Sequence, residues 1–389
     1  MREKIRLWMG SPWLRDYRVL VGLWLGIAVL AAVMKMHSHN NFLIFRGVFW
    51  HAWQRLSLYA EYPQEHFDVN HYGPLFSLVI APFAVVPDWL GLLLWCVALA
   101  LMLYVAVRRS LLTDRQQVFL LWFCAHELLT ALYMQQFNVA IAAIILASFF
   151  LIEKGREGTA AFLIVLGTLV KLYGIVGLAF FFFSKRKGHF VLWLVVWSAV
   201  LFALPMLAWG PEYVVGQYDE WVRCLVEKND QNLFATHQNI SLLGLVRKLS
   251  GCATYADLWI IVPGLLLFGL PYLRFSQYRN MAFRQTLLAS VLMFVVLFST
   301  GSESSSYIIA LCGVVVWYTC VPWQRNAWDV ALMVFVFVLT SLSPSDLFPA
   351  VVRRELVQPY ALKALPVVIV WLQLCYEMLT RDYAKPAQR

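Results

Sequence analysis

The sequence predicts an all-α polytopic membrane protein, a single integral domain over residues 1–389. Three observations predict it. Apolar residues make up 61% of the chain and charged residues 14%, with mean hydropathy +0.68; soluble domains run near half apolar and a quarter charged. Apolar runs such as LGLLLWCVALALMLYVAV (90–107) lack the alternation of a barrel strand. In lipid, backbone groups must be bonded within helices or closed barrels, so these runs read as helices. The 17 Trp suit anchoring at membrane interfaces as well as packing.

The elements follow in order. Arg2, Lys4, Arg6, Arg15 and Arg18 precede or open an apolar run with no small-residue cleavage site, so 18–36 reads as an uncleaved first spanning helix. With that end cytoplasmic, a first outer loop covers 37–87. Within it, 42–58 reads as an interfacial amphipathic helix, with Arg46, His51, Gln54 and Arg55 off its apolar side. YGPLFSLVIAPFAVVP (72–87) is short and Pro-punctuated and reads as interfacial or re-entrant, which places Arg108 and Arg109 inside after the span 88–107. Spans near 118–134 and 139–152 flank the turn QQFN. Residues 159–184 begin after one basic loop and end before another, KRKGH, which no single span can do. They read as a hairpin of two short helices breaking near Lys171 and Gly174.

Spans near 190–208, 256–273, 286–299, 307–321, 328–342 and 364–380 complete about twelve passes. Both termini are then cytoplasmic. Two more outer loops are long and polar, 210–254 (with an interfacial helix at 237–249) and 343–363, while the inner loops are short and basic. The net charge of +9 is absorbed by those inner loops, and no basic block is long enough for nucleic acid. The seven Cys are scattered without metal-ligand spacing, and most read as small core residues. Cys224 and Cys252 share the second outer loop, so a disulfide is the alternative there to two free thiols.

Long polar loops on one face are where binding and chemistry sit. EYPQEHFDVNHYG packs Glu61, Glu65, His66, Asp68, Asn70 and His71 together. The ordinary reading is a solvated loop; the functional one is a carboxylate acting as general base on a hydroxyl. Paired His among acids lacks the fixed spacing of a metal site. Lys171 costs about 2.5–3.5 kcal/mol in mid-membrane on insertion scales, so it needs a cavity with an anion or a partner such as Glu127. His126 and Glu127 brace helices or line the same cavity. The amides of QQFN (135–138) suit hydroxyl-rich ligands, and Arg247 and Lys248 suit headgroups or phosphates. STGSESSSY (299–307) is either an ordinary polar turn or a cavity wall carrying Glu303 with Ser302, Ser304 and Ser305. GxSxG, Walker and HExxH motifs are absent from the sequence.

Taken in this order, the stretches resemble the GT-C glycosyltransferase superfamily and, within it, the polyprenyl-phosphate-sugar-dependent glycosyltransferase family 87. YGPLF stands for the family's Y-P-P-L-F, and QQFN for G-Q-x-N. GTLVKLYG (167–174) stands for a K-x-x-P break, HQNISLLGL (237–245) for N-Q-S-L-x-G-L, and STGSESSSY for a late S-P-x-S turn. The resemblance spans 18–310. It implies a GT-C-like bundle and inverting transfer of a mannose-like hexose from a polyprenyl-phosphate donor to a lipid or glycan acceptor. The setting it implies is the outer face of a bacterial inner membrane, without a cofactor or protein-bound metal. Lys171 and Tyr173, with Arg247 or Lys248, would then serve the donor phosphate. His71, Tyr72, Gln136, Asn138, Gln238, Asn239 and Ser302 would surround the substrates.

The chain departs from the family at one important place. Where the family carries an acid at the start of the first outer loop, this sequence reads Asn40-Asn41-Phe42. An amide cannot take a proton. The base role at the Asn41 position then passes to Asp68 or Glu65 nearby or to Glu303 from the far loop, with Asp68 ranked first and Glu303 second, or the protein is not a working transferase. The rival is a transporter or flippase of a lipid-linked sugar. Long amphipathic outer loops and the lack of a half-to-half repeat weigh for the enzyme.

Overall fold

The computed structural model describes residues 12–252 and 254–384, so Arg2, Lys4 and Arg6 lie outside the described residues. Every regular element among the described residues is helical. The chain runs through α1 (Tyr17–Lys35), α2 (Asn40–Gln54), α3 (Phe76–Ala84), α4 (Asp88–Arg108), α5 (Asp114–Phe123) and α6 (Ala125–Tyr133). It continues through α7 (Asn138–Glu153), α8 (Glu157–Val170), a 3-10 helix (Leu172–Phe183), α9 (Lys187–Ala203), α10 (Pro211–Gln231) and α11 (Leu242–Ser250). The last third holds α12 (Leu258–Gly269), α13 (Met281–Leu297), α14 (Tyr307–Thr319), α15 (Ala327–Phe335) and α16 (Leu365–Thr380).

Among the described residues, four helical stretches are long and apolar enough to cross a bilayer: Tyr17–Lys35, Asp88–Arg108, Lys187–Trp209 and Leu362–Thr380. At 1.5 Å per residue they cover about 28–35 Å, matching a hydrocarbon core of about 30 Å. Seven further apolar helices are shorter. The stretch expected near 118–134 is two helices, α5 and α6, meeting at Cys124; Thr113 and Gln116 form a capping box that starts the first.

The centre is built from α7, α13 and α14, which are apolar on every side and buried almost all round. Their 16, 17 and 13 residues make them about 20–26 Å long, shorter than the hydrocarbon thickness. The shortfall leaves space at one end. There Asn138 opens α7 and donates to Ser305 Oγ (3.0 Å) in the turn between α13 and α14, so the two polar turns share a floor. At the opposite end Arg284 of α13 holds Glu153 of α7 in a two-pronged ion pair of 2.7 and 2.8 Å.

The segment 159–184 folds as the expected hairpin, breaking at Lys171, whose backbone is extended between α8 and the 3-10 helix. The returning helix keeps three residues per turn, so side chains eclipse at i and i+3. Gly174, Gly177 and Phe180 form its buried row, while Leu172, Ile175 and Leu178 are exposed. A Cβ on Gly174 would lie 2.3 Å from the Gly167 carbonyl carbon, so the hairpin closes only with glycine there.

Two other features were not legible beforehand. The stretch 210–254 contains α10, a 21-residue helix starting at Pro211 after Gly210, and it lies on the stretch between α2 and α3. Its Tyr213 hydroxyl donates to Leu56 O (2.6 Å), Gln217 Oε1 accepts from Leu58 N (2.7 Å), and Trp221 Nε1 donates to His71 O (2.9 Å). Val214, Gln217, Trp221 and Cys224 are its buried residues, a helical spacing that the sequence carries among many charges. The second feature corrects the reading of α2. His51 lies on its buried side, stacked on Tyr62 at 3.7 Å, with Nε2 3.1 Å from Glu65 Oε2. All seven Cys are free, so Cys224 and Cys252 are not joined.

Candidate active site

A cavity of about 850 Å³ opens above the short central helices. Three segments meet there: the stretch between α2 and α3, the break at Lys171, and the serine-rich turn. Gly73 ties the first two together. Its N–H donates to Val170 O (3.0 Å), and a Cβ would sit 2.0 Å from Leu169 O. This contact needs an N–H that a proline would lack, and the space leaves no room for a side chain, so YGPLF carries glycine at 73.

Lys171 lines the cavity. Its ammonium donates to Asn138 Oδ1 (2.7 Å) and stands 5.5 and 5.0 Å from the ring centres of Tyr72 and Tyr173. One of its three protons is thus used by Asn138, and the aromatic faces offset part of the burial cost. The Tyr72 hydroxyl donates to Gln136 Oε1 (2.6 Å) and accepts from Phe137 N. Tyr173 OH shares hydrogen bonds with Ser299 (2.9 Å) and Ser302 (3.2 Å). The alternative of a Lys171–Glu127 pair is corrected: Glu127 pairs with Lys363 at 2.7 Å, and both are buried. Lys363 also donates to Ser304 O (3.0 Å) and Oγ (2.9 Å), bracing the turn beside Glu303. His126 contacts Ser341 Oγ (3.1 Å) and is absent from the cavity wall.

Glu303 and Asp68 both line the cavity, with different partners. Glu303 accepts from two neutral amides, Gln136 Nε2 (3.3 Å) and Gln238 Nε2 (3.1 Å). Asp68 is half exposed and sits at φ 72°, a left-handed conformation uncommon outside glycine. His66 Nδ1 donates to its carbonyl (3.0 Å), which holds that turn. The Asp68 carboxyl is held well below the usual carboxylate range, first by His71 against the opposing cost of burial, then by the Val69 N–H and Lys228. His71 Nε2 is 3.8 Å from Asp68 Oδ1 and Lys228 Nζ is 3.4 Å from Oδ2. At 3.8 Å, the His71 contact is long for a hydrogen bond.

The tautomer of His71 follows from its other side. Cys224 donates its S–H to Asn70 O (3.5 Å), so its sulfur accepts from His71 Nδ1, 3.3 Å away. Nε2, the nitrogen nearer Asp68, is then the one free to take a proton.

The remaining expected site residues fall in two groups. Asn41 is on the cavity wall with its Nδ2 donating to Met134 O (2.9 Å), and Gln238 is there through Glu303. Asn138, Asn239 and Ser302 are buried behind the wall. Ser302 donates to Val296 O (2.6 Å), and Asn239 Oδ1 accepts from Ser241 Oγ (2.7 Å), at the start of α11. Arg247 and Lys248 are corrected, because neither is on the wall. Arg247 is buried against Asp257 (2.6 Å) and the Tyr255 ring, and Lys248 donates to the carbonyls of Ala235 and Gln238 (both 2.9 Å). Burial pushes Lys248 down to about 8. A buried cation on a short helix takes the nearest acceptors available, and here those are structural. The cavity cation that sequence reasoning missed is Lys228 of α10, whose position depends on a helix not expected there.

A family model described as Glycosyltransferase family 87 matches residues 70–300, more than half of the chain. No curated protein matches. The matched stretch holds His71, Tyr72, Gln136, Lys171, Tyr173, Lys228 and Gln238, while Asn41 and Asp68 precede it and Glu303 follows it. With its apolar helical bundle and a cavity roofed by two long loops, the chain belongs to glycosyltransferase family 87.

Proposed function

We propose that the protein is a GT-C-type transferase with about twelve spans, moving a mannose-like hexose from a polyprenyl-phosphate donor to a lipid or glycan acceptor. On this reading it lies in a bacterial inner membrane with both termini inside and the cavity facing the periplasm. The observation that supports it best is the placement of a half-buried lysine and two carboxylates around one cavity. Lys171 keeps two ammonium protons for phosphate oxygens, and the leaving phosphate carries the electron pair of the broken C1–O bond.

Inversion requires the acceptor hydroxyl to attack opposite that phosphate, so the base belongs on the far side of C1 from Lys171. Glu303 is linked through Gln136 to Tyr72, the ring beside Lys171. Asp68 is held instead from the α10 side by Lys228. Asp68 is therefore the base, and Glu303 with its two amides orients sugar hydroxyls. The low proton affinity of Asp68 sets a pH signature. The acid limb of kcat/KM lies below the usual carboxylate range, and Lys228→Met or His71→Phe moves it to higher pH. Each removes a charge or dipole that favours the ionised form, so the pKa rises.

Membrane vesicles loaded with polyprenyl-phosphate hexose test the reading. Lys171→Ala should lower transfer by about 10²–10³-fold, as for loss of one preorganised charge-stabilising group. Undiminished transfer in Lys171→Ala, Asp68→Asn and Glu303→Gln alike would remove the site. Asn41, an amide where the family has an acid, supports the rival reading of a lipid-linked-sugar flippase. Carrier translocation with no glycoside formed would establish that instead.

A further inference from the structure

A second groove lies at the other end of the bundle, between α4, α7 and α8, with a volume of about 590 Å³. Its walls are apolar, and its floor is made concave by Ala98, Ala106, Ala143 and Ala147. At one end stand Arg109, Lys154 and Arg156, all exposed. From these cations to Ala98 on α4 and Ala143 on α7 the groove extends about 16 Å at 1.5 Å per residue. That is half of a hydrocarbon core of about 30 Å, the depth of one leaflet.

The charge at the head of the groove is left uncompensated by its neighbours. The two acids flanking this turn are taken by arginines from elsewhere: Glu153 by Arg284, and Glu157 by Arg186 (2.8 Å). Arg186 also donates to Gly155 O (2.7 Å), and Lys154 Nζ to Arg109 O (2.6 Å), which gathers the turn and the end of α4 into one cluster. Among the described residues, none of Arg109, Lys154 and Arg156 has a carboxylate within ion-pair distance. Loops that merely obey the positive-inside rule need neither a one-leaflet groove beside the charges nor the removal of both nearby acids.

We propose that this groove binds an anionic glycerophospholipid, its phosphate on Arg109, Lys154 and Arg156 and one acyl chain along α4 and α7. The zwitterionic alternative gains less from three unpaired cations, since each basic residue near a membrane surface favours anionic headgroups.

Native mass spectrometry of the delipidated full chain, titrated with phosphatidylglycerol or phosphatidylcholine, tests the site. The wild type should retain phosphatidylglycerol about tenfold or more over phosphatidylcholine. Arg109→Gln/Lys154→Gln/Arg156→Gln, all exposed positions, should bring the two lipids to parity. Ala143→Phe/Ala147→Phe should reduce retention of phosphatidylglycerol by filling the floor. Equal retention of both lipids by the wild type, or unchanged preference in the charge variant, would overturn the site. Displacement of phosphatidylglycerol by equimolar polyprenyl phosphate, lost in the same charge variant, would overturn the choice of phospholipid. Retention is read without any sugar, so failure here and failure of the transferase reading are separate results.

Discussion

Asp68→Asn lowers sugar transfer by about a hundred- to ten-thousand-fold, the range for losing a positioned general base, while the folded protein and its donor affinity remain. The amide keeps the size of the side chain but cannot accept the acceptor's proton. Asp68 is half exposed and its partners His71 and Lys228 are at 3.8 and 3.4 Å, so the substitution leaves no deeply buried charge unpaired. Transfer assays at saturating donor, beside unfolding curves, separate the two effects. Glu303→Gln is the matched comparison. Its partners are amides that a glutamine side chain can also bond, so its loss should fall mainly in KM. A variant pair with these effects exchanged, Glu303→Gln silent in KM but down in kcat, would move the base to the serine-rich turn.

The largest stability effect is expected far from the chemistry, at Lys363 and Glu127. Their side chains are 4% and 0% exposed and 2.7 Å apart. Removing one member leaves the other as a buried charge without compensation, which costs about 3–5 kcal/mol. Lys363→Met should therefore lower unfolding stability in detergent by about that amount, and Glu127→Gln by a similar one. The double variant should recover much of the loss, because neither charge then remains. Lys363 also bonds Ser304, next to Glu303, so Lys363→Met should weaken transfer even where the protein is still folded. Single variants as stable as the wild type would show that the pair carries no such burden.

These two expectations mark different limits on what a sequence discloses. Hydrophobic runs and loop charge made the helical class and most segment positions readable, because burial in lipid imposes the same rule on every residue of a span. The hairpin at Lys171 was readable for a related reason: two basic loops must lie on one side, and glycine permits the close return. The helix α10 was missed because its periodicity is diluted by charged residues in a loop already assigned as polar. Without α10, Lys228 could not be placed on the cavity, and the surroundings of Asp68 were incomplete.

Partner choice inside the bundle was the other blind spot. Glu127 and Lys171 are both rare charges in apolar surroundings, and sequence alone left their pairing open. Lys363, close before the last apolar run, was the partner actually within reach of Glu127. Arg247 and Lys248 had the right charge for a phosphate but folded onto Asp257 and backbone carbonyls.

By itself the sequence determined an integral helical protein with long polar loops and a lysine at a helix break. Those are properties of composition, spacing and local backbone chemistry. Only the tertiary structure decided which charges meet: Asp68, Glu303 and Lys171 around one cavity, Glu127 with Lys363, and three unpaired cations at the head of a second groove. Contacts between segments distant along the chain depend on how short central helices, a 3-10 return and a covering helix pack together, and no local pattern encodes that geometry.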